Sequence, residues 1–170
     1  YHPHRVHGSF RGYWDYDEGG LGDMGQHNID PIQYLLGKDN TGPVSVEAQG
    51  PWPQHPDAAG LWGKVTLTYA DGDRIIIEST EWGENDPDPV FLEGPKGKVF
   101  SNQGERSDPS DLFERIKNLP NPAALVDFET TVRTRNQEST WKPTAEKGHR
   151  SITLIHLSSI AIRLGRPLKW

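Results

Sequence analysis

Val65-Thr66-Leu67-Thr68-Tyr69, Ala70-Asp71-Gly72-Asp73 and Arg74-Ile75-Ile76-Ile77-Glu78-Ser79 follow one another in the chain. The first run alternates apolar and polar residues, the period of a strand with one face covered. The third is rich in β-branched residues, and an Asp-Gly between two such runs signals a hairpin. Val44-Ser45-Val46-Glu47-Ala48 alternates in the same way upstream. Downstream, Val90-Phe91-Leu92-Glu93 and Lys98-Val99-Phe100 flank Gly94-Pro95-Lys96-Gly97, a second hairpin. These pieces predict a largely antiparallel sheet.

Helical spacing flanks the strands. Asp23 to Gly37 reads as a helix through Met24, Ile32, Leu35 and Leu36, with Gly37 as its stop and a kink or restart at Pro31. Asp108-Pro109-Ser110-Asp111 opens a helix to Leu119, Pro122 to Arg135 suggests another, and Asn136 to Lys147 reads as irregular. Ile152 to Leu164, led in by Gly148-His149-Arg150-Ser151 and stopped by Gly165 and Pro167, is apolar nearly all round and predicts a helix buried on the sheet. Residues 1 to 21 read as an extended arm or edge strand ending in the loop Asp15 to Gly20, and residues 50 to 60 and 80 to 89 as acidic, Pro-rich loops. The fold class is therefore α+β.

The 170 residues suit one compact domain, and Gly 18 with Pro 14 favours turns over a helical bundle. A net charge of -6 argues against nucleic acid, which calls for a concentrated basic patch. No apolar run is long enough to span a bilayer. Zero cysteines exclude disulfides and thiolate chemistry while leaving cytoplasm and periplasm both open. The sequence opens at Tyr1 without an initiator Met, which predicts a piece of a longer product. Six Trp and five Tyr suit either a sugar-binding surface or a core short of Leu and Phe.

The best chemical constellation is Asp23, His27, Asp30 and Tyr34. Steps of four, three and four return these side chains to one helix face. A Gly-rich stretch before them allows close approach of a ligand. A carboxylate beside an imidazole fixes its tautomer and raises its basicity, which suits a general acid/base. Asp23 as a cap and His27 as a half-buried packing residue is the other reading. Metal binding by His27 with His2, His4 and His7 is a third. Arg5, Arg11, Trp14 and Tyr16 lie just upstream, where guanidinium forks and aromatic faces either bind sugar hydroxyls or brace the loop. His149 and Arg150 read as capping or packing residues, and His156 as a satisfied core histidine. No G-x-G-x-x-G follows a strand, and neither a G-x-S-x-G elbow nor a P-loop is present.

Gly19-Gly20-Leu21-Gly22-Asp23-Met24-Gly25-Gln26-His27-Asn28-Ile29-Asp30 resembles the D-x-x-x-H stretch of Gfo/Idh/MocA-family oxidoreductases. His2-Pro3-His4-Arg5-Val6-His7, Trp14-Asp15-Tyr16 and the ending from Gly148 to Trp170 resemble a bacterial subgroup of that family. The resemblance implies a C-terminal α+β domain: an open, largely antiparallel sheet with helices on one face, carrying the substrate pocket and often the oligomer interface. It implies that an N-terminal Rossmann domain, not in this sequence, binds NAD or NADP and supplies a catalytic Lys from a Glu-Lys-Pro motif. Lys142-Pro143 lies after the sheet and is not that motif. By the same resemblance Asp23 and His27 are catalytic: His27 takes a proton from a sugar, glycoside or polyol hydroxyl, and Asp23 orients substrate or imidazole. Arg5, Arg11, Trp14, Tyr16 and Asp30 would then contact substrate. A non-catalytic module for sheet-mediated oligomerisation or glycan binding, and a metal-dependent isomerase or hydrolase, are the competing expectations.

Overall fold

The computed structural model describes residues 5–50, 56–59, 63–79, 89–100, 106–119, 128–135 and 144–170. The chain packs as two compact units, one of residues 1–83 and 143–170 and one of residues 84–142.

The first unit holds helix α1 (Gly19–Leu35), strands β1 (Ser45–Gln49), β2 (Lys64–Thr68) and β3 (Arg74–Glu78), helix α4 (Ala145–Leu164) and strand β7 (Leu168–Lys169). The strands form one antiparallel sheet in the order β3-β2-β1-β7. The hairpin read at Asp71-Gly72 is the β2–β3 turn, with Gly72 at φ 93, where a residue with a Cβ is strained. Alternate residues Val46, Val65, Leu67 and Ile75 are buried beneath the helices, where Leu21, Ile29, Leu154, Ile155 and Ala161 meet them. Each buried Val, Leu or Ile among them contributes ~1.5–3 kcal/mol by leaving water. The helices thus cover one face of the sheet, as the α+β pattern predicts.

Several boundaries differ from the sequence reading. Among the described residues, the N-terminal arm is neither extended nor an edge strand: residues His7–Gly12 form a 3-10 helix, and Tyr13 makes a single bridge to Ala58. The fold-back is local, because the N–H groups of Tyr16, Asp17 and Glu18 all donate to the Tyr13 carbonyl. Helix α1 starts at Gly19 rather than Asp23 and runs through Pro31 without a restart. Its buried side is Leu21, Ile29 and Gln33, whereas Met24 and Leu35 are exposed. It ends in a Schellman motif: Lys38 N–H donates to Gln33 O at 2.8 Å, Gly37 N–H to Tyr34 O at 2.9 Å, and Gly37 takes φ 66.

Helix α4 begins at Ala145, so residues 145–147 are helical rather than irregular. Thr144 caps it, its hydroxyl accepting from Lys147 N–H. Gly165 ends it in the left-handed region, as the sequence predicts. Strand β7 escapes the sequence reading, since two residues carry no period; it is held by pairing Ser45 with Lys169 and Val46 with Leu168.

The second unit contains β4 (Val90–Gly94), β5 (Gly97–Phe100) and β6 (Ser107–Asp108), an antiparallel sheet in that order, with helices α2 (Leu112–Lys117) and α3 (Phe128–Thr134). The Gly94–Gly97 hairpin is present. Helix α2 is shorter than read and is not capped by its Asp residues. The Ser107 hydroxyl accepts from Phe113 N–H at 2.9 Å instead. The first residues of the helix expected at Pro122, and most of the two acidic loops, lie outside the described residues.

Candidate functional site

The N-terminal 3-10 turn lies against the first half of α1, and there Arg11 Nε stands 2.8 Å from Asp23 Oδ2 and 3.7 Å from Asp17 Oδ2. Asp23 is therefore committed to a guanidinium. It is not a helix cap, because the helix begins four residues earlier. His27 follows one turn later on the same side, exposed, and no ion pair or hydrogen bond engages its imidazole among the described residues. Asp30 accepts from the Ser151 hydroxyl of α4 at 2.5 Å. Tyr34 carries the Lys147 ammonium 5.9 Å from its ring centre. The face read from the sequence exists, and its members are tied to neighbouring elements on either side of an open imidazole.

The upstream residues form a braced cluster. Arg5 Nη2 stands 3.0 Å from Asp57 Oδ2 and Nη1 3.6 Å from Asp15 Oδ2, with the guanidinium 4.7 Å from the Tyr13 ring centre. Trp14 lies under the Arg163 guanidinium at 5.0 Å. Tyr16 meets Phe10 edge to face at 6.2 Å and leaves 57% of its surface exposed. Arg5, Arg11 and Trp14 thus hold the turn in shape, while Tyr16 and His27 stay open to an incoming molecule.

His156 departs from its sequence reading. It is exposed rather than in the core, because its position on α4 points away from the sheet toward the residue preceding α1. There its Nδ1 lies 3.1 Å from Glu18 Oε1, and Ser159 donates to Glu18 Oε2 at 2.9 Å. Glu18 has φ 57 and joins the two helices; nothing in its local sequence signals this. His149 and Arg150 lie in the first turns of α4, where Arg150 Nε pairs with Glu146 Oε1 at 2.7 Å. His2 and His4 lie outside the described residues, and no three metal-binding side chains cluster among the described ones.

The sequence carries one coincidence that geometry decides. Gly20-Leu21-Gly22-Asp23-Met24-Gly25 has G-x-G-x-x-G spacing. In a dinucleotide site those glycines form a loop between strand and helix, with N–H groups aimed at phosphate. Here all six residues lie inside α1, and among the described residues no strand precedes them. The close approach they allow is that of the chain itself: a Cβ at Gly22 would fall 2.0 Å from Asp17 O, and one at Gly25 2.9 Å from Ile155 Cδ1. The Gly-rich stretch is therefore a packing surface rather than a ligand loop. It does not fit a nicotinamide cofactor's pyrophosphate.

Outside this site, Lys38 is buried where α1 meets the β2–β3 turn, paired with Asp71 and, at 2.8 Å, with Asp73. Hydrogen bonds from the ammonium to those carboxylates raise the Lys38 pKa. The Lys38 hydrogen bond holds Asp71 below the usual carboxylate range. Burial pushes the Tyr69 phenol up to about 12, and its oxygen has no hydrogen-bond partner among the described residues. This cluster fastens the hairpin to the helix.

No helix among the described residues is long and apolar enough to cross a membrane. Compared with known proteins, residues 1–170 match the profile of the Gfo/Idh/MocA C-terminal domain, described as "Oxidoreductase family, C-terminal alpha/beta domain". No curated protein matches the chain.

Proposed function

Since this chain belongs to the Gfo/Idh/MocA oxidoreductase family as its C-terminal α/β domain, we propose that it is the substrate side of an NAD(P)-dependent oxidoreductase acting on a sugar, glycoside or polyol hydroxyl. The observation that carries this reading is the open His27 imidazole on a face whose other members, Asp23, Asp30 and Tyr34, are held by Arg11, Ser151 and Lys147. A fixed helix bearing one uncommitted imidazole suits proton transfer, worth ~10²–10⁴-fold in rate. His27 takes the proton of the substrate hydroxyl at a ring nitrogen. The Arg11–Asp23 pair offers donors and acceptors to neighbouring hydroxyls, and Tyr16 offers an aromatic face to a sugar ring. The hydride acceptor would be a nicotinamide held by a Rossmann domain outside these residues, since the glycines of α1 do not form its site. Assembly through the sheet belongs to the same reading, as its helix-free face is left uncovered by α1 and α4.

The test is turnover of the full-length protein across a panel of sugars and polyols, paired with cofactor binding by fluorescence. His27→Ala is expected to lose about 10²–10⁴-fold in kcat with cofactor affinity unchanged. Full turnover in that variant sinks the assignment. A non-catalytic glycan-binding or assembly module has one observation in its favour: Arg5, Arg11 and Trp14 all serve internal contacts. Glycan binding without turnover in any full-length preparation would select it.

A further inference from the structure

The sequence contains a single Asp-Gly, Asp71-Gly72, and no Asn-Gly. The β2–β3 turn calls for its glycine, because Gly72 sits at φ 93, which a residue with a Cβ reaches only under strain. The same dipeptide is chemically labile. Glycine leaves its own N–H unshielded, so the Gly72 nitrogen can attack Cγ of Asp71 in its acid form. The carboxyl OH leaves with the amide proton as water, and a cyclic succinimide closes. Water then reopens the ring at either carbonyl. One product is the original aspartate; the other is isoaspartate, whose backbone runs through Cβ and Cγ. The water lost is regained, so the exchange needs no oxidant, cofactor or enzyme.

Here both reacting groups are pinned. Asp71 Oδ1 accepts from Asp73 N–H at 3.2 Å, and Oδ2 is paired with Lys38 Nζ. The carboxyl cannot turn its carbon toward the next nitrogen without breaking one of these contacts. That nitrogen is engaged as well, since Gly72 N–H donates to Tyr69 O at 3.0 Å. The ammonium is fixed in its turn. Lys38 is buried, its N–H donates to Gln33 O at 2.8 Å, and its C=O accepts from Gln33 Nε2 at 3.1 Å. Asp73 also holds Nζ at 2.8 Å, and the Tyr69 ring centre lies 5.2 Å from it. The Lys38 contact further keeps the Asp71 carboxyl below its usual range, which depletes the acid form that cyclises.

We propose that Asp71-Gly72 is a latent modification site: Lys38 keeps it silent in the folded chain, and isoaspartate formed there unfastens the β2–β3 turn from the end of α1. Isoaspartate carries its free carboxylate on Cα, one carbon nearer the main chain, and so withdraws it from Lys38. The backbone also gains one carbon inside a turn that Tyr69 N–H and Asp73 O close at 2.9 Å. The buried ammonium is left with Asp73 alone, and a buried charge that loses a partner is destabilising. The inference uses none of the residues assigned to catalysis and stands or falls apart from that reading.

The test incubates the full-length protein in warm, neutral buffer. Isoaspartate is counted by methyl transfer from a protein isoaspartate methyltransferase and mapped in the tryptic peptide Val65–Arg74. Folded wild type is expected to form it about tenfold more slowly than the same chain in urea, and folded Lys38→Met about tenfold faster than folded wild type. Asp71→Glu, whose longer side chain would have to close a larger ring, is expected to lose the signal. Circular dichroism checks that the variants fold. The isoaspartyl form, separated from the unmodified protein, is expected to unfold at a lower urea midpoint. Equal rates in folded and urea-unfolded wild type overturn the proposal, whether or not Lys38→Met folds. A folded Lys38→Met no faster than wild type overturns the role of Lys38, and an unchanged urea midpoint in the isoaspartyl form overturns the unfastening.

Discussion

Arg11 Nε lies 2.8 Å from Asp23 Oδ2, and this pair ties the N-terminal turn to the helix that carries His27. The carboxylate expected to orient an imidazole is oriented itself, by a guanidinium from another element. In the proposed site Asp23 is therefore a substrate acceptor held in place, and Arg11 its positioning residue. Arg11→Ala is expected to raise KM about tenfold, equivalent to ~1.4 kcal/mol of lost binding, with a smaller effect on kcat. The pair is more than a quarter exposed on both sides, so stability changes by no more than ~1 kcal/mol. Steady-state kinetics and a urea titration of the same variant separate the two effects. A fall in kcat at unchanged KM would place Arg11 at the reacting atoms instead.

The Ser151 hydroxyl is buried and donates to Asp30 across the α1–α4 contact at 2.5 Å. Ser151→Ala is expected to cost ~1.5–3 kcal/mol, the usual loss for a hydrogen bond to a charged acceptor. Asp30→Asn retains an acceptor and is expected to cost less. Urea midpoints of the two variants measure the difference. If Asp30→Asn costs as much as Ser151→Ala, the charge of Asp30 matters beyond this bond.

The parts of the fold that follow from local period were legible in the sequence. Val65 to Ser79 alternates or is β-branched around Asp71-Gly72, and the hairpin stands where those residues put it. Ile152 to Leu164 is apolar nearly all round, and its sheet-facing side is buried, while His156, Ile160 and Leu164 stay exposed. The errors fall where tertiary contact overrides local preference. Three glycines, Gly19, Gly20 and Gly22, argue against a helix before Asp23. Yet α1 starts at Gly19, because Asp17 O and Ile155 need the space that side chains would take. Leu168-Lys169 becomes a strand only because β1 lies beside it. In the candidate site, steps of four, three and four placed Asp23, His27, Asp30 and Tyr34 on one face. No spacing rule could have supplied Arg11, Ser151 or Lys147 as their partners, since those contacts join distant segments.

Gly25 gives the sharpest check on that packing. A Cβ there would sit 2.9 Å from Ile155 Cδ1 and 3.2 Å from Leu21 Cδ1, both ends of flexible side chains. Gly25→Ala is expected to destabilise by ~1–3 kcal/mol through overpacking. Ile155→Val alone costs ~0.5–1.5 kcal/mol, but it removes the nearest clashing atom. The double variant is therefore expected to lose less than the sum of the two singles, by ~1 kcal/mol in a double-mutant cycle. Additive losses would mean that α1 moves away from α4 as a body.

Tyr69 sets a pH dependence whose sign is fixed. Its phenol is buried without a hydrogen-bond partner among the described residues, and burial moves its pKa from 10.0 up to about 12. Between those values the folded chain keeps a proton that the unfolded chain releases. Stability from this group is therefore intact below its ordinary pKa and falls as pH rises through the folded one. Lys38 acts in the same direction, since Asp71 and Asp73 raise its pKa and its charge is lost at the alkaline end. Tyr69→Phe removes the phenol's share while keeping a ring 5.2 Å from the Lys38 ammonium. Because the lost hydroxyl had no partner, the substitution is expected to be neutral or slightly stabilising near neutral pH. Above pH about 10 it is expected to flatten the alkaline loss by up to ~2 kcal/mol, leaving the part due to Lys38. Urea midpoints measured from neutral to strongly alkaline pH on both proteins give the two slopes, and parallel slopes would show that Tyr69 reaches water before the fold is lost.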